Sequence, residues 1–125
     1  AFALCVPCRA QADLVFTVGN SSGRDIDKFE RLGLQATPGP ATGAPLVDGC
    51  VAWLECRLLA EPPLQARYDL FLGQVVAAQA DGRVFSRGRW HFAPEHEALR
   101  TLHHVAGGLF FSVADPLQAQ MRPAR

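Results

Sequence analysis

Residues 19–33, GNSSGRDIDKFERLG, place Ser21, Ser22, Gly23, Arg24, Asp25, Asp27 and Lys28 on the approach to a short helical pattern. Two chemistries fit these residue types. Ser22 followed three residues later by Asp25 matches a capping box, and Asp25 could itself cap a helix starting at Ile26; Arg24 and Lys28 would then be solvated charges. Alternatively, the free N–H groups and partial positive charge of a helix start stabilise a phosphate. Gly23 would let the backbone come close, Ser21 and Ser22 would donate from their hydroxyls, and Arg24 would offer a planar fork for two oxygens, with Lys28 one turn on. There is no GxxxxGK[ST] run, so a nucleoside triphosphate with magnesium is not implied. On the residues alone, both readings stand.

The other candidates are sparser. His103 and His104 are a tandem ionisable pair, but successive residues on a strand point to opposite faces, so at most one would face a shared site. The competing reading makes them exposed edge or interface histidines. Four cysteines occur as Cys5-Val-Pro-Cys8, Cys50 and Cys56. The apolar runs around them argue for small hydrophobic roles rather than zinc or a dithiol centre, and no metal site is expected. Trp53, Trp90, Phe110 and Phe111 could stack on a planar cofactor, although aromatics at strand positions commonly belong to a core. Tyr68 and Asp69 open a long strand, where polar residues are ordinary. Neither a Ser-His-Asp arrangement nor HExxH or GxGxxG is present.

The elements that must carry these residues follow from pattern. AFALCVP reads as a strand ended by Pro7, and Ala12, Val15 and Phe16 have helical spacing before Gly19-Asn20. A second helix is predicted over 26–32, with Ile26, Phe29 and Leu32 on one face and Gly33 as its stop. LQATPGPATGAPLVDG is an extended loop with short strand pieces at its ends. Strands are predicted over 50–61 and 66–81, separated by PPLQ and paired antiparallel. Residues 83–92 suggest a hairpin bent at Gly88, PEHEALRTLHH a helix begun near Pro94 with His103 and His104 past its boundary, and GGLFFSV a last strand. Strands with inserted rather than alternating helices imply a mostly β domain, a β-barrel or α+β fold.

With 125 residues, 49% of them hydrophobic, the chain suits one globular domain, residues 1–125. Its twelve basic and twelve acidic side chains cancel without clustering, which argues against nucleic acid. No apolar run approaches the roughly 18–20 residues of a membrane span, and the cysteine usage suits a reducing cytoplasm. The abrupt apolar start, AFALCVPC, suggests the later portion of a longer protein.

GNSSGRDIDKFERLGLQATP resembles the signature segment of the flavin reductase-like family of FMN-binding split barrels, an SGRD-x-DKF-x-x-x-GL-x-x-x-P run. APLVDGCVAWLECRLL, RYDLFLGQVV and RTLHHVAGGLFFSVAD are similar to its later strands in the same order, so the likeness covers nearly the whole chain. The resemblance implies a six-stranded Greek-key split barrel, a homodimer, and FMN at the edge of the subunit interface. It also implies that the barrel strands preceding FALCVP are absent here, the chain being the C-terminal two-thirds of the usual domain. By position, Asn20, Ser21, Ser22, Gly23, Arg24 and Lys28 fall at the phosphate and ribityl end of FMN, while Cys5 departs from an asparagine common in relatives. The implied activity is hydride transfer from NAD(P)H to flavin, which needs no acid/base dyad, with His103 or His104 guiding the nicotinamide or the acceptor. The alternative is a non-catalytic flavin- or haem-binding electron carrier on the same fold.

Overall fold

The computed structural model describes residues 1–124. Its centre is an antiparallel sheet of order β1-β4-β5, comprising β1 (Phe2–Val6), β4 (Ala52–Leu59) and β5 (Leu72–Ala80). β1 lies on β4 with Phe2 opposite Cys56 and Val6 opposite Ala52, and β5 lies on the other side with Leu72 opposite Leu59. A bulge at Glu55/Cys56 shifts the β4–β5 register. Three two-stranded hairpins surround the sheet: β2 (Ala36–Pro38) with β3 (Pro45–Val47), β6 (Phe85–Ser86) with β7 (Arg89–Trp90), and β8 (Leu102–Ala106) with β9 (Leu109–Ser112). The fold is thus mostly β with inserted helices, as the pattern predicts, although no closed barrel forms among the described residues.

Local chemistry explains the joints. Pro7 cannot continue the ladder, and after it a 3-10 turn over Arg9–Gln11 feeds α1 (Ala12–Gly19). The hairpin bend has Gly88 at φ 72°, the left-handed region where glycine is least strained. The expected strand over 66–81 is corrected: Pro62–Tyr68 forms α3, closed by Asp69 at φ 51°, and β5 starts only at Leu72. The two prolines occupy the first helical positions, where a missing N–H costs nothing, so they start a helix instead of merely breaking a strand. The second helix is also shorter than predicted: α2 is Lys28–Leu32. The PEHEAL segment is a 3-10 helix, Pro94–Leu99, and both histidines lie beyond it on β8.

Val51 and Val84 are fully buried, and with Cys8 they centre a small core edged by Val6, Phe92 and Leu99. Among the described residues the one buried acid is Glu55. Its Oε2 accepts from Ala41 N at 3.0 Å, Thr42 N at 2.8 Å and Thr42 Oγ1 at 2.8 Å, fastening the β2–β3 loop onto β4. A Cβ on Gly39 would collide with that oxygen, so the loop needs glycine there for close approach. By contrast, Leu59 at the end of β4 is exposed, and so are Tyr68, Phe71, Leu72 and Val75 on β5 and its approach.

Removing the Glu55 acceptor strands two backbone donors and a hydroxyl. Glu55→Ala is therefore expected to lower stability by about 2–4 kcal/mol, seen as a lower urea midpoint at unchanged slope. Glu55→Gln keeps an acceptor and is expected to lose less; equal losses for the two variants would contradict the clamp.

Candidate functional site

α1 ends with carbonyls that have no partner inside the helix, and the following loop supplies them. Phe16 O accepts from Asn20 N at 3.2 Å and Asn20 Nδ2 at 2.8 Å, and Thr17 O accepts from Ser21 Oγ at 2.8 Å. Val18 O accepts from Lys28 Nζ at 2.9 Å, a partly buried contact that also sets a cation at the negative end of the helix. Lys28 keeps two further N–H donors, since an ammonium has three.

Between these anchors lies a tight turn. Asp25 N and Ile26 N donate to Ser22 O, and Arg24 N donates to Ser22 Oγ at 3.1 Å. Two expectations fail here. Ser22 and Asp25 do not cap the helix, because Asp27 does: its Oδ1 accepts from Phe29 N at 2.9 Å and Glu30 N at 3.2 Å. The N–H groups imagined for a phosphate at the helix start are thus held by a carboxylate. The signal was present, since Asp27 followed by Glu30 is the cap spacing that lies one residue before the observed helix. Gly33, at φ 64°, ends α2, with Leu34 N donating to Phe29 O at 2.9 Å.

What remains for a ligand is the outer rim of this turn. Ser22, Gly23 and Arg24 are exposed. Among the described residues the Arg24 guanidinium makes no hydrogen bond or ion pair, and a Cβ on Gly23 would meet nothing within 4 Å. A fork-shaped cation, a hydroxyl and an unencumbered backbone approach form a donor set suited to a phosphate.

Beside the same loop, a cavity of about 460 Å³ opens between α1 and the β8–β9 hairpin. Val15, Phe16, Asn20, His104 and Phe110 line it. The His104 ring lies 5.1 Å from the Phe110 ring, and its Nε2 is 3.0 Å from Gly107 O. His103 is not part of this wall and sits opposite Phe111 in the ladder. Of the aromatic candidates, Phe110 joins the cavity, whereas Trp53 donates its Nε1 to Val47 O at 2.9 Å and Trp90 stacks on Phe92 at 5.7 Å. Phe16 was missed because helical spacing alone marks it as a packing residue.

On the other side of α1 a second cavity, about 390 Å³, is walled by Leu14, Val18, Leu34 and Val47 with the thiols of Cys5 and Cys50. Burial, then the neighbouring Cys5, pushes the Cys50 thiol up to about 11. No group of three or more His, Cys, Asp or Glu could hold a metal among the described residues. Nor is any described helix long and apolar enough to cross a membrane.

The architecture is that of known FMN-binding proteins. An FMN-binding domain of a flavin reductases-like enzyme from Shewanella baltica superposes with a TM-score of 0.85 at 39% identity, over 94% of this chain and 62% of that one. An FMN-binding protein from Thermus thermophilus, solved with bound 1-cyclohex-2-enone, gives 0.70 at 26% identity, over 94% and 61%. The Escherichia coli K12 protein YddH, described as uncharacterized, is 46% identical over 110 residues, 87% of this chain and 57% of that protein. The profile of the Flavin reductase like domain matches residues 1–96. The chain belongs to the flavin reductase-like family, and it spans about three-fifths of the length of these relatives.

The two basic residues of the loop have separable duties. Lys28→Met is expected to cost about 0.5–2 kcal/mol of stability through the lost cap on α1, whereas Arg24→Ala, with no internal partner, is expected to stay within about 0.5 kcal/mol of the parent. Thermal unfolding of both variants checks this, and the reverse order would refute the assignment.

Proposed function

We propose that the chain forms the phosphate-gripping and ring-flanking part of an FMN-binding oxidoreductase that takes hydride from NAD(P)H. The observation that carries this is the Ser22-Gly23-Arg24 turn, whose guanidinium has no partner among the described residues, in a chain of a flavin-binding family. Arg24 would hold two phosphate oxygens, Ser22 and Ser21 would offer hydroxyls, and Lys28 would add a second charge with its remaining N–H groups. Asn20, which lines the His104 cavity, would face the ring end.

When bound, the flavin supplies a ring that accepts two electrons as hydride, so the protein's task is to place two flat rings and exclude water. His104 and Phe110 present the aromatic wall against which a nicotinamide or an aromatic acceptor would lie. The relative with bound cyclohexenone is consistent with small planar acceptors. Homodimer formation is supported by the exposed apolar side chains that Leu58 and Val75 present on one face of the β4–β5 ribbon, which a second copy would cover.

Arg24→Ala is expected to weaken FMN binding by about 1.5–3 kcal/mol, roughly 10–150-fold, in a fluorescence-quenching titration. Unchanged affinity would remove the turn from the flavin site. For His104→Ala the expected outcome is a several-fold higher KM for NADH in steady-state oxidation with added FMN, at unaltered FMN affinity. Tight flavin binding without any NADH turnover by the parent chain would instead establish the non-catalytic electron carrier.

A further inference from the structure

The Cys-Val-Pro-Cys spacing suggests a local thiol pair, but the fold separates it. β1 is extended to Val6, and at about 3.3 Å per residue Cys5 and Cys8 lie roughly 10 Å apart, beyond the roughly 7 Å that a disulfide spans. Cys8 is 1% exposed, and its thiol donates to Gly49 O at 3.5 Å. Cys56 is likewise buried and turned to Leu54 O.

Cys5 and Cys50 are placed differently. Both line the apolar cavity between β1 and α1, and Cys50 is brought there by the turn at Gly49, whose φ is 83°. Among the described residues the only backbone group the Cys5 sulfur bonds is Pro45 O, at a long 4.0 Å, and Cys5 is partly exposed while Cys50 is buried. Gln11, the other polar side chain of the cavity, donates to Asp48 O, accepts from Cys8 N and also lies against the Cys50 thiol. The Cys50 thiol lies close enough to Cys5 to feel it.

We propose that Cys5 and Cys50 are an oxidative modification site, an attacking and a resolving thiol that close to an intrachain disulfide when a hydroperoxide enters this cavity. Cys5, as thiolate, attacks the peroxide oxygen; the O–O bond breaks, Cys5 becomes a sulfenic acid and the alcohol or water leaves. Cys50 then attacks that sulfur, the S–S bond forms and water leaves with the Cys50 proton. The two thiols are oxidised by two electrons and the peroxide is reduced. The roles follow from access, since the more accessible sulfur, Cys5, meets the oxidant first and the buried, protonated Cys50 waits for it.

The test is treatment of the purified chain with hydrogen peroxide, quenching, and mass spectrometry after alkylation under denaturing conditions. The expected product is about 2 Da lighter and reacts with N-ethylmaleimide at two thiols rather than four, with dithiothreitol restoring all four. In a Cys8→Ser, Cys56→Ser variant, trypsin should yield peptide 1–9 joined to peptide 32–57. If that variant does not fold, fragmentation of the same linked pair from the parent chain locates the bond. Cys50→Ser should leave a sulfenic acid at Cys5 that dimedone traps. Four alkylatable thiols after oxidation, a Cys5–Cys8 bond, or linkage only between chains would each overturn the proposal.

Discussion

The C-terminal end of α1 governs the site. A helix of eight residues leaves its last carbonyls unpartnered, and burying them unsatisfied would cost on the order of 1–3 kcal/mol each. The loop from Asn20 to Lys28 resolves this by folding back: Asn20 and Ser21 bond the nearest carbonyls, and Lys28 reaches across ten residues to Val18 O. Returning in this way forces the chain between them into a compact turn, and the side chains at its outer rim, Ser22 and Arg24, are those left facing outward. The polar rim is thus a by-product of a backbone obligation.

The same logic holds in the sheet. The β2–β3 loop runs through Pro38-Gly-Pro-Ala-Thr-Gly and has few ladder partners of its own, so a buried carboxylate from β4 gathers its N–H groups. Trp53, two residues earlier on β4, fixes the far end of that hairpin through Val47 O. Together they hold β3 beside β1, completing the wall in which Cys5 and Val47 sit. A charge in the interior is tolerable because three donors surround it.

Much of this was legible in the residues. Pro7 as a strand stop, the bend at Gly88 and the helical spacing of Val15 and Phe16 all have local causes, and local causes can be read from sequence. The misreadings have a common source in which of two local signals wins. Ser22 with Asp25 and Asp27 with Glu30 are both cap spacings, and spacing does not choose between them; the folded chain uses the second, with Lys28 set against Val18 O. Pro62-Pro63 reads equally as a break or a helix start, and the choice falls to the run of residues after it. The meeting of His104, Phe110 and Phe16 depends on how the β8–β9 hairpin lies across α1, a tertiary relation with no trace in spacing.

β4 occupies the middle of its sheet while its two neighbours come from very different distances along the chain. β5 follows it after α3, but β1 precedes it by more than forty residues that include two helices and a hairpin. Closing a long loop costs entropy before any contact rewards it, whereas the β4–β5 ribbon closes a short one. The order β1-β4-β5 therefore makes β1 docking the slow closure of folding, and until it occurs Cys8 and Val51 have no completed core to enter.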